Sequence, residues 1–222
     1  MNPFSDRKID TCIEYVLNNK DNLKRKFIEN IDIIFSIRKK NYKKQKKISG
    51  IIRLPNQPRF YNRICIIADN NHIIEAENLR LYFLSYEKLK LLRNNKKIRK
   101  KIGLLLKIAK KFHKFYASES IIKHIPKFFG PTLTKIGKFP TSINHNSSIE
   151  NQILVLNRDL KIQFRKDINT GMTVGHIRMH PSLLKANVIA AIKFFIALMQ
   201  KKYSNIKTVA IKRCMGKPQF IK

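Results

Sequence analysis

The stretch LPNQPRFYNRICIIAD, residues 54–69, separates two different kinds of strand and decides the fold. Pro55 and Pro58 cannot donate to a sheet ladder, so the strand that precedes them ends near Leu54 and a linker follows. Beyond the linker, RICIIAD at 63–69 is a continuous apolar run, typical of a strand buried on both faces of a parallel sheet. The linker therefore predicts a boundary between two units of different type.

Before the linker, the pattern predicts elements that are buried on one face only. Apolar residues recur at spacings of three and four from Ser5 onwards, which predicts an amphipathic helix. Residues 31–37 favour a strand with one well-buried face, and ISGIIRL at 48–54 predicts a second strand. These elements indicate an α+β arrangement.

Strands of the same half-buried kind return near the C-terminus. They are predicted at 161–166, 172–179 and 206–212, with a long apolar helix at 183–199. Because Lys185, Asn187 and Lys193 interrupt that helix, a buried core helix is favoured over a membrane span.

The middle of the chain instead alternates apolar strands with helices, which favours an α/β unit. The economical arrangement combines α/β and α+β classes. Residues 1–58 and 145–222 form one split α+β domain, and residues 59–144 form an inserted α/β domain. Two chain crossings would join the domains, so relative motion is expected.

Composition indicates a large polyanion as the partner. Lys and Arg number 47 and Asp and Glu number 14, which gives a net charge of +33. Such an excess repels itself unless counterions or a polyanion neutralise it.

Cys12, Cys65 and Cys214 are too few and too far apart for a disulfide framework, which fits a reducing compartment. The first ten residues have no apolar signal core, which disfavours secretion.

Residues that could carry catalysis are scarce. His176 and His180 have a spacing that suits a metal only on a helix, whereas this stretch looks extended. GPTLTKIGK at 130–138 lacks the Ser or Thr that follows Gly-Lys in a phosphate loop. We therefore predict no catalytic residue, no metal and no cofactor. An RNA-processing enzyme with a basic groove, and a chromatin-like or membrane-surface protein that binds by charge alone, remain alternatives.

Basic residues recur on several elements. RKKNYKKQKK at 38–47 has seven basic residues in ten with Tyr42 among them, and a basic helix face covers 96–111. A solvated hairpin tip would also be basic, but repetition on separate elements favours nucleic acid. In 161–166, polar and apolar residues alternate, so one strand face can be basic and suit RNA, which is recognised largely by shape. The candidate residues are Lys161, Gln163 and Arg165, with secondary contacts at Lys123, Lys127, Lys135 and Lys138.

The C-terminal stretch RCMGKPQ at 213–219 is the most specific candidate. Gly216 lacks a Cβ, so its backbone can approach a sugar-phosphate chain, and Met215 can pack on a ribose or a base. An ordinary turn before a frayed terminus is the alternative. The cations expected to neutralise phosphates here are Lys212, Arg213 and Lys217.

Several motifs resemble the ribosomal protein L-one family, in its archaeal and eukaryotic L-ten-a branch. The resemblance covers nearly the whole chain. Its motifs are KFIENIDIIFSI at 26–37, SGIIRLPNQPR at 49–59, AEN at 76–78, ASESIIKHIPKFFGPTLTKIGKFPT at 117–141, VGHIRM at 174–179 and KRCMGKPQ at 212–219.

The resemblance implies a split RNA-binding domain that holds both termini and an inserted Rossmann-like α/β domain. It implies binding to large-subunit rRNA in the mobile stalk, contact with exit-site tRNA and other ribosomal components, and release of deacylated tRNA. It implies no membrane, no small-molecule substrate and no catalysis, in a cytoplasmic ribosome that is assembled in the nucleolus if the cell is eukaryotic.

The resemblance also carries residue roles. Lys26, Phe27, Met215 and Gly216 should touch rRNA. The family usually has Ser-Thr before Met-Gly, whereas Arg213 and Cys214 stand here. A thiol is a weak substitute for a hydroxyl as a hydrogen-bonding group, and Arg213 is expected to compensate through its charge.

Overall fold

The computed structural model describes residues 5–18, 26–38, 49–94, 107–129, 131–163, 169–199 and 206–221. Contacts between Cα atoms define two compact units. Unit 1 comprises Met1–Phe60 and Leu156–Lys222, and unit 2 comprises Tyr61–Val155. Both units combine helices with sheet, which confirms the mixed helix-and-sheet class predicted from the sequence.

The elements alternate along the chain. In order they are α1 Asp6–Asn18, β1 Asn30–Ile37, β2 Ser49–Arg53, β3 Ile64–Ala68, α2 Asn70–Asn78, β4 Tyr82–Ser85, α3 Tyr86–Asn94, β5 Lys114–Ser118, α4 Glu119–Ile122, α5 Ile125–Phe129, α6 Pro131–Ile136, β6 Thr141–Ile143, α7 Ile149–Leu156, β7 Asp159–Gln163, β8 Asn169–His176, α8 Pro181–Leu198, β9 Ile206–Arg213 and β10 Gln219–Phe220. Residues 107–111 are also helical.

Unit 1 contains a four-stranded antiparallel sheet and a two-stranded antiparallel ribbon. The sheet has the order β10-β9-β1-β8, and the ribbon pairs β2 with β7. In β1 the side chains of Ile31, Ile33, Phe35 and Ile37 are buried, and the alternate residues are partly exposed. The strand with one buried face is thus confirmed. Helix α1 contributes Ile9, Ile13 and Val16 to the same core.

Helix α8 is long and apolar enough, by length and composition alone, to cross a membrane. In unit 1 it is a core helix, because Leu184, Val188 and Phe195 are buried among the sheet residues. The ring of Phe195 stacks on that of Phe35 with centroids 3.9 Å apart. The buried amide of Asn187 is satisfied, since its Nδ2 donates to the carbonyl oxygen of Val174 at 2.8 Å. The prediction of a buried helix is confirmed.

Unit 2 contains a parallel sheet in the order β4-β3-β5-β6. Four of the five residues of β3 are buried, as are four of the five in β5. The continuous apolar run therefore forms a parallel strand, as the sequence predicts. Strands β4 and β5 lie on opposite sides of β3. The chain therefore adds β4 at one edge of β3 and then returns to add β5 and β6 at the other.

The end of unit 2 differs from the sequence-based boundary. Unit 2 extends to Val155, whereas the prediction ended the inserted domain at residue 144. The reason is helix α7, whose first backbone N–H, that of Ile149, donates to Oε2 of Glu75 at 3.2 Å. The side chain of Gln152 also bonds to the backbone N–H and carbonyl of Asn144. These contacts attach α7 to unit 2, and amphipathic periodicity alone carries no such information.

Candidate nucleic-acid interface

Three strands of the four-stranded sheet have neighbouring ends. Asn30, the first residue of β1, pairs in register with His176, the last residue of β8. On the other side of β1, the backbone N–H of Cys214 donates to the carbonyl oxygen of Asn30 at 3.0 Å. The N–H of Ile177 donates to the carbonyl oxygen of Glu29 at 3.1 Å. We call this surface the sheet end and define it by residues 26–30, 176–178 and 213–217.

The sheet end presents two apolar side chains to solvent beside lysines. Phe27 is 57% exposed and Met215 is 65% exposed. Lys26 precedes Phe27, Lys217 follows the tip, and both are exposed. Apolar groups beside ammonium groups suit a ligand that offers phosphates together with flat base or sugar faces. Four exposed residues that are predicted to contact RNA therefore belong to the sheet end.

Gly216 closes the turn at the tip. Its backbone N–H donates to the carbonyl oxygen of Arg213 at 3.2 Å. A Cβ at this position would lie 3.1 Å from the Cβ of Arg213, so the arginine side chain would have to shift by a few tenths of an ångström. The glycine thus allows a close approach within the turn itself, in addition to the approach to RNA expected from the sequence.

Arg213 has a structural role that the sequence did not indicate. Its Nε donates to the carbonyl oxygen of Val16, and its Nη2 donates to that of Leu17 at 2.7 Å. These carbonyls belong to the last turn of α1, where a helix leaves its acceptors without intrahelical partners. The guanidinium therefore holds the end of α1 against β9. These bonds give Arg213 a role inside unit 1, and its contact with RNA stays a prediction.

Lys212 and Cys214 flank Arg213 in different settings. Lys212 pairs in register with Asp32 of β1, whose carboxylate accepts a hydrogen bond from the hydroxyl of Thr173 at 2.8 Å. Lys212 thus lies one residue pair away from the sheet end, beside an acidic neighbour. Cys214 is exposed at the tip.

Lys161 and Gln163, two of the residues predicted to contact RNA, belong to β7 of the two-stranded ribbon. Lys161 is exposed and Ile162 is buried, so the alternation is confirmed for these two residues. Gly50, which pairs with Ile162, packs against Leu198 in the last turn of α8. Lys161 itself pairs in register with Ile51 of the ribbon and is not among the residues that define the sheet end. Gln163 is described by its backbone only, and Arg165 lies outside the described residues.

The four lysines predicted as secondary contacts all belong to unit 2. Lys123 and Lys127 are exposed, and Lys135 is described by its backbone only. Lys138 differs from the prediction, because its Nζ donates to the carbonyl oxygens of Ala109 at 2.8 Å and Phe112 at 2.6 Å. The ammonium group thus satisfies acceptors at the end of the helical residues 107–111 and is half-buried.

Comparison with known proteins identifies the family. The model of the ribosomal protein L1p/L10e family matches residues 17–217. The chain belongs to this family. It is 34% identical over 221 residues to large ribosomal subunit protein uL1z of Arabidopsis thaliana, and the match covers 100% of both chains. It is 34% identical over 218 residues to uL1 of Oryza sativa subsp. japonica and 35% identical over 218 residues to uL1A of Schizosaccharomyces pombe, with 98% of both chains covered each time. The family resemblance found in the sequence is confirmed.

One pair of side chains in this L1p/L10e family member has the geometry of a nucleophile and its base. The Nδ1 of His72 lies 2.7 Å from Oγ of Ser118. Ser118 is 0% exposed and His72 is 2% exposed, so a substrate has no access to either. The Ser118 hydroxyl also accepts from the backbone N–H of Asp69 at 3.1 Å. The pair therefore ties β5 to α2. Within the described ranges, no three His, Cys, Asp or Glu side chains converge as a metal site would require.

A cluster of three side chains, two of which belong to the sheet end, was missed by sequence reasoning. Phe60 from the linker meets His176 and Arg178. Phe60 precedes the other two by more than a hundred residues, and it belongs to a stretch interpreted only as a linker. An aromatic residue followed by Tyr61 in a basic linker was the available signal.

Proposed function

We propose that this protein is a structural constituent of the large ribosomal subunit and binds the rRNA of the mobile stalk through the sheet end. The observation that carries the proposal is that exposed Phe27 and Met215, flanked by lysines, precede β1 and follow β9 at strand ends joined by the backbone bond from Cys214 to Asn30. Membership of the L1p/L10e family supports it, as do relatives named large ribosomal subunit proteins.

The protein positions RNA and performs no bond-making chemistry. Lys26, Lys217 and Lys212 neutralise phosphates, while Phe27 and Met215 pack on sugar or base faces. Each neutralised phosphate steepens the log-log salt dependence of binding by roughly 0.7 to 0.9. The net charge of +33 adds a nonspecific attraction. Specific binding then depends on the shape of the sheet end and its apolar groups.

The two units have different tasks. Unit 1 is the split RNA-binding domain that contains both chain ends, and unit 2 is the inserted Rossmann-like α/β domain. The reversal of strand order at β3 in a parallel sheet supports the latter description. Two chain crossings, after Phe60 and after Val155, permit the units to move relative to one another. This motion helps to shift and release the deacylated tRNA from the exit site.

The proposal includes a location and further partners. The protein works in cytoplasmic ribosomes, with stalk rRNA, exit-site tRNA and other ribosomal components as neighbours. In a eukaryotic cell it joins the subunit in the nucleolus. Neither a membrane nor a small-molecule substrate takes part.

Co-sedimentation tests the proposed function. The native protein should pellet with large subunits through a sucrose cushion and stay bound after a moderate salt wash. Small subunits provide the matched control, since they carry a comparable density of RNA phosphates. Equal recovery with both subunits, or release at moderate salt, would show that charge alone explains the binding.

A further inference from the structure

Phe60 presents an exposed aromatic ring that two neighbours hold in place. Its side chain is 56% exposed. The ring meets that of His176 edge-to-face, with centroids 5.5 Å apart and planes at 84°. The guanidinium carbon of Arg178 lies 5.7 Å from the Phe60 centroid, within the range of a cation–π contact. The guanidinium group thus lies over the aromatic ring at the surface.

Two members of this cluster, His176 and Arg178, belong to the sheet end, and Phe60 adds a third side chain to it. His176 pairs in register with Asn30, and Asn30 accepts the hydrogen bond from Cys214 of the tip. Strand β1 therefore separates two neighbouring contact areas. One contains Phe27 and Met215, and the other contains Phe60 with its two partners.

The charge of the cluster suits a nucleotide. Burial lowers the pKa of His176, and the neighbouring Arg178 lowers it further, so the imidazole is neutral near pH 7. A neutral ring supports Phe60 while Arg178 supplies the positive charge. Arg178 is exposed, so its guanidinium is accessible to a phosphate.

We propose that Phe60, His176 and Arg178 bind an unpaired nucleotide of the RNA that contacts the tip. Its base stacks on the exposed face of Phe60, and its phosphate pairs with the Arg178 guanidinium. Unpaired bases are recognised in RNA mainly by stacking on aromatic rings and guanidinium planes, and the phosphate fork of arginine adds orientation. This inference rests on the proposed function, because it assigns a second contact area to the same RNA.

The test compares two RNA probes at equal salt. One is a folded stalk rRNA fragment that contains unpaired nucleotides, and the other is a fully paired duplex of the same length. The variant Phe60→Leu keeps apolar bulk and removes the flat ring. It should weaken binding of the stalk fragment roughly five- to hundredfold and leave duplex binding nearly unchanged.

Arg178→Gln addresses the phosphate. It should weaken binding of the stalk fragment and reduce the salt slope by roughly 0.7 to 0.9. The matched control is Tyr82→Leu, which removes another exposed aromatic ring that lies beside a lysine, in unit 2. The control should bind both probes like the wild type. Thermal unfolding of each variant verifies that the fold is retained.

The outcomes separate the two proposals. Wild-type affinity for the stalk fragment in Phe60→Leu, combined with lost affinity in Met215→Asp, would overturn the nucleotide site and leave the proposed function standing. A wild-type protein that does not prefer the stalk fragment over the duplex would overturn both. If Phe60→Leu binds RNA normally but no longer co-sediments with large subunits, the ring contacts a protein neighbour and the nucleotide site is wrong.

Discussion

The backbone N–H of Cys214 donates to the carbonyl oxygen of Asn30, 3.0 Å away, and this bond continues the pairing of β9 with β1 beyond the end of the strand. It places the C-terminal tip next to the segment that contains Phe27, although the two are almost two hundred residues apart in sequence. The side chain at position 214 has no part in the bond. A thiol in place of the usual hydroxyl therefore leaves this backbone connection in place.

Arg213→Met should destabilise unit 1. The substitution keeps the aliphatic stem and removes the donors to Val16 and Leu17, which leaves the end of α1 without these partners. Loss of hydrogen bonds from a charged donor costs about 1.5–3 kcal/mol. Urea unfolding measures the loss, and Lys212→Met is the neighbouring control. A variant with wild-type stability and reduced RNA affinity would contradict the structural role.

Lys138→Met should loosen the end of the helical residues 107–111. The ammonium group donates to the carbonyl oxygens of two buried residues, Ala109 and Phe112, so its removal leaves these acceptors without that donor. Hydrogen exchange of amides in 107–118 should become faster by about tenfold or more, which corresponds to roughly 1.4 kcal/mol. The control Lys127→Met removes an exposed ammonium group and should leave exchange unchanged. Equal exchange rates in the two variants would count against the role of Lys138.

The stability of unit 2 should fall as the solution is acidified. Burial lowers the pKa of His72 and the adjacent His145 lowers it further, while Glu75 and Asp69 oppose these effects. In the unfolded chain a histidine titrates near 6.5, so the unfolded state takes up the proton first. The stabilisation is therefore complete above about pH 6.5 and is lost as the pH decreases below that value.

Hydrogen exchange of amides in β3 and α2, measured between pH 7.5 and 5.5 and corrected for intrinsic rates, tests this dependence. The wild type should lose protection on acidification, and His72→Gln should show a smaller change from a lower starting value. Global unfolding would mix the two units, since the pKa of His176 in unit 1 is shifted in the same direction. Exchange at individual amides confines the readout to unit 2. A wild-type protein equally protected at both pH values would contradict the prediction.

Gly175→Ala should destabilise unit 1 more than Gly171→Ala. A Cβ at position 175 would lie 2.6 Å from Cδ1 of Leu184 and 3.0 Å from Sδ of Met179, both of which are buried. Overpacking of this kind costs about 1–3 kcal/mol. At position 171 the nearest atoms would be 3.7 Å away, an ordinary contact. Urea unfolding compares the two variants, and similar midpoints would show that the core around Leu184 relaxes freely.

Sequence periodicity was sufficient to predict strands whose side chains are either alternately buried or all buried. The buried residues of β1 alternate, and β3 is apolar throughout, so each shows its environment directly. Helix α7 also has an apolar face, but its periodicity does not predict which of the two units that face packs against. Its attachment through Glu75 made unit 2 longer than expected.

The sequence shows which residues are charged, but it does not show what each charge contacts. A sequence shows that Arg213 and Lys138 are cationic, but it does not show that helix ends with free carbonyl oxygens lie beside them. Both were therefore assigned to RNA. Phe60 was not assigned to RNA, because its partners His176 and Arg178 come from a strand end more than a hundred residues later.

The most direct measurement is the equilibrium affinity of Met215→Asp for a folded stalk rRNA fragment. Leu91→Asp is the matched control, because Leu91 is 68% exposed, similar to Met215 at 65%, but belongs to α3 of unit 2. Both variants gain the same negative charge, and neither should change the unfolding midpoint. Met215→Asp should bind at least tenfold more weakly than Leu91→Asp, which should resemble the wild type. Equal affinity of the two variants would contradict the assignment of RNA binding to the sheet end.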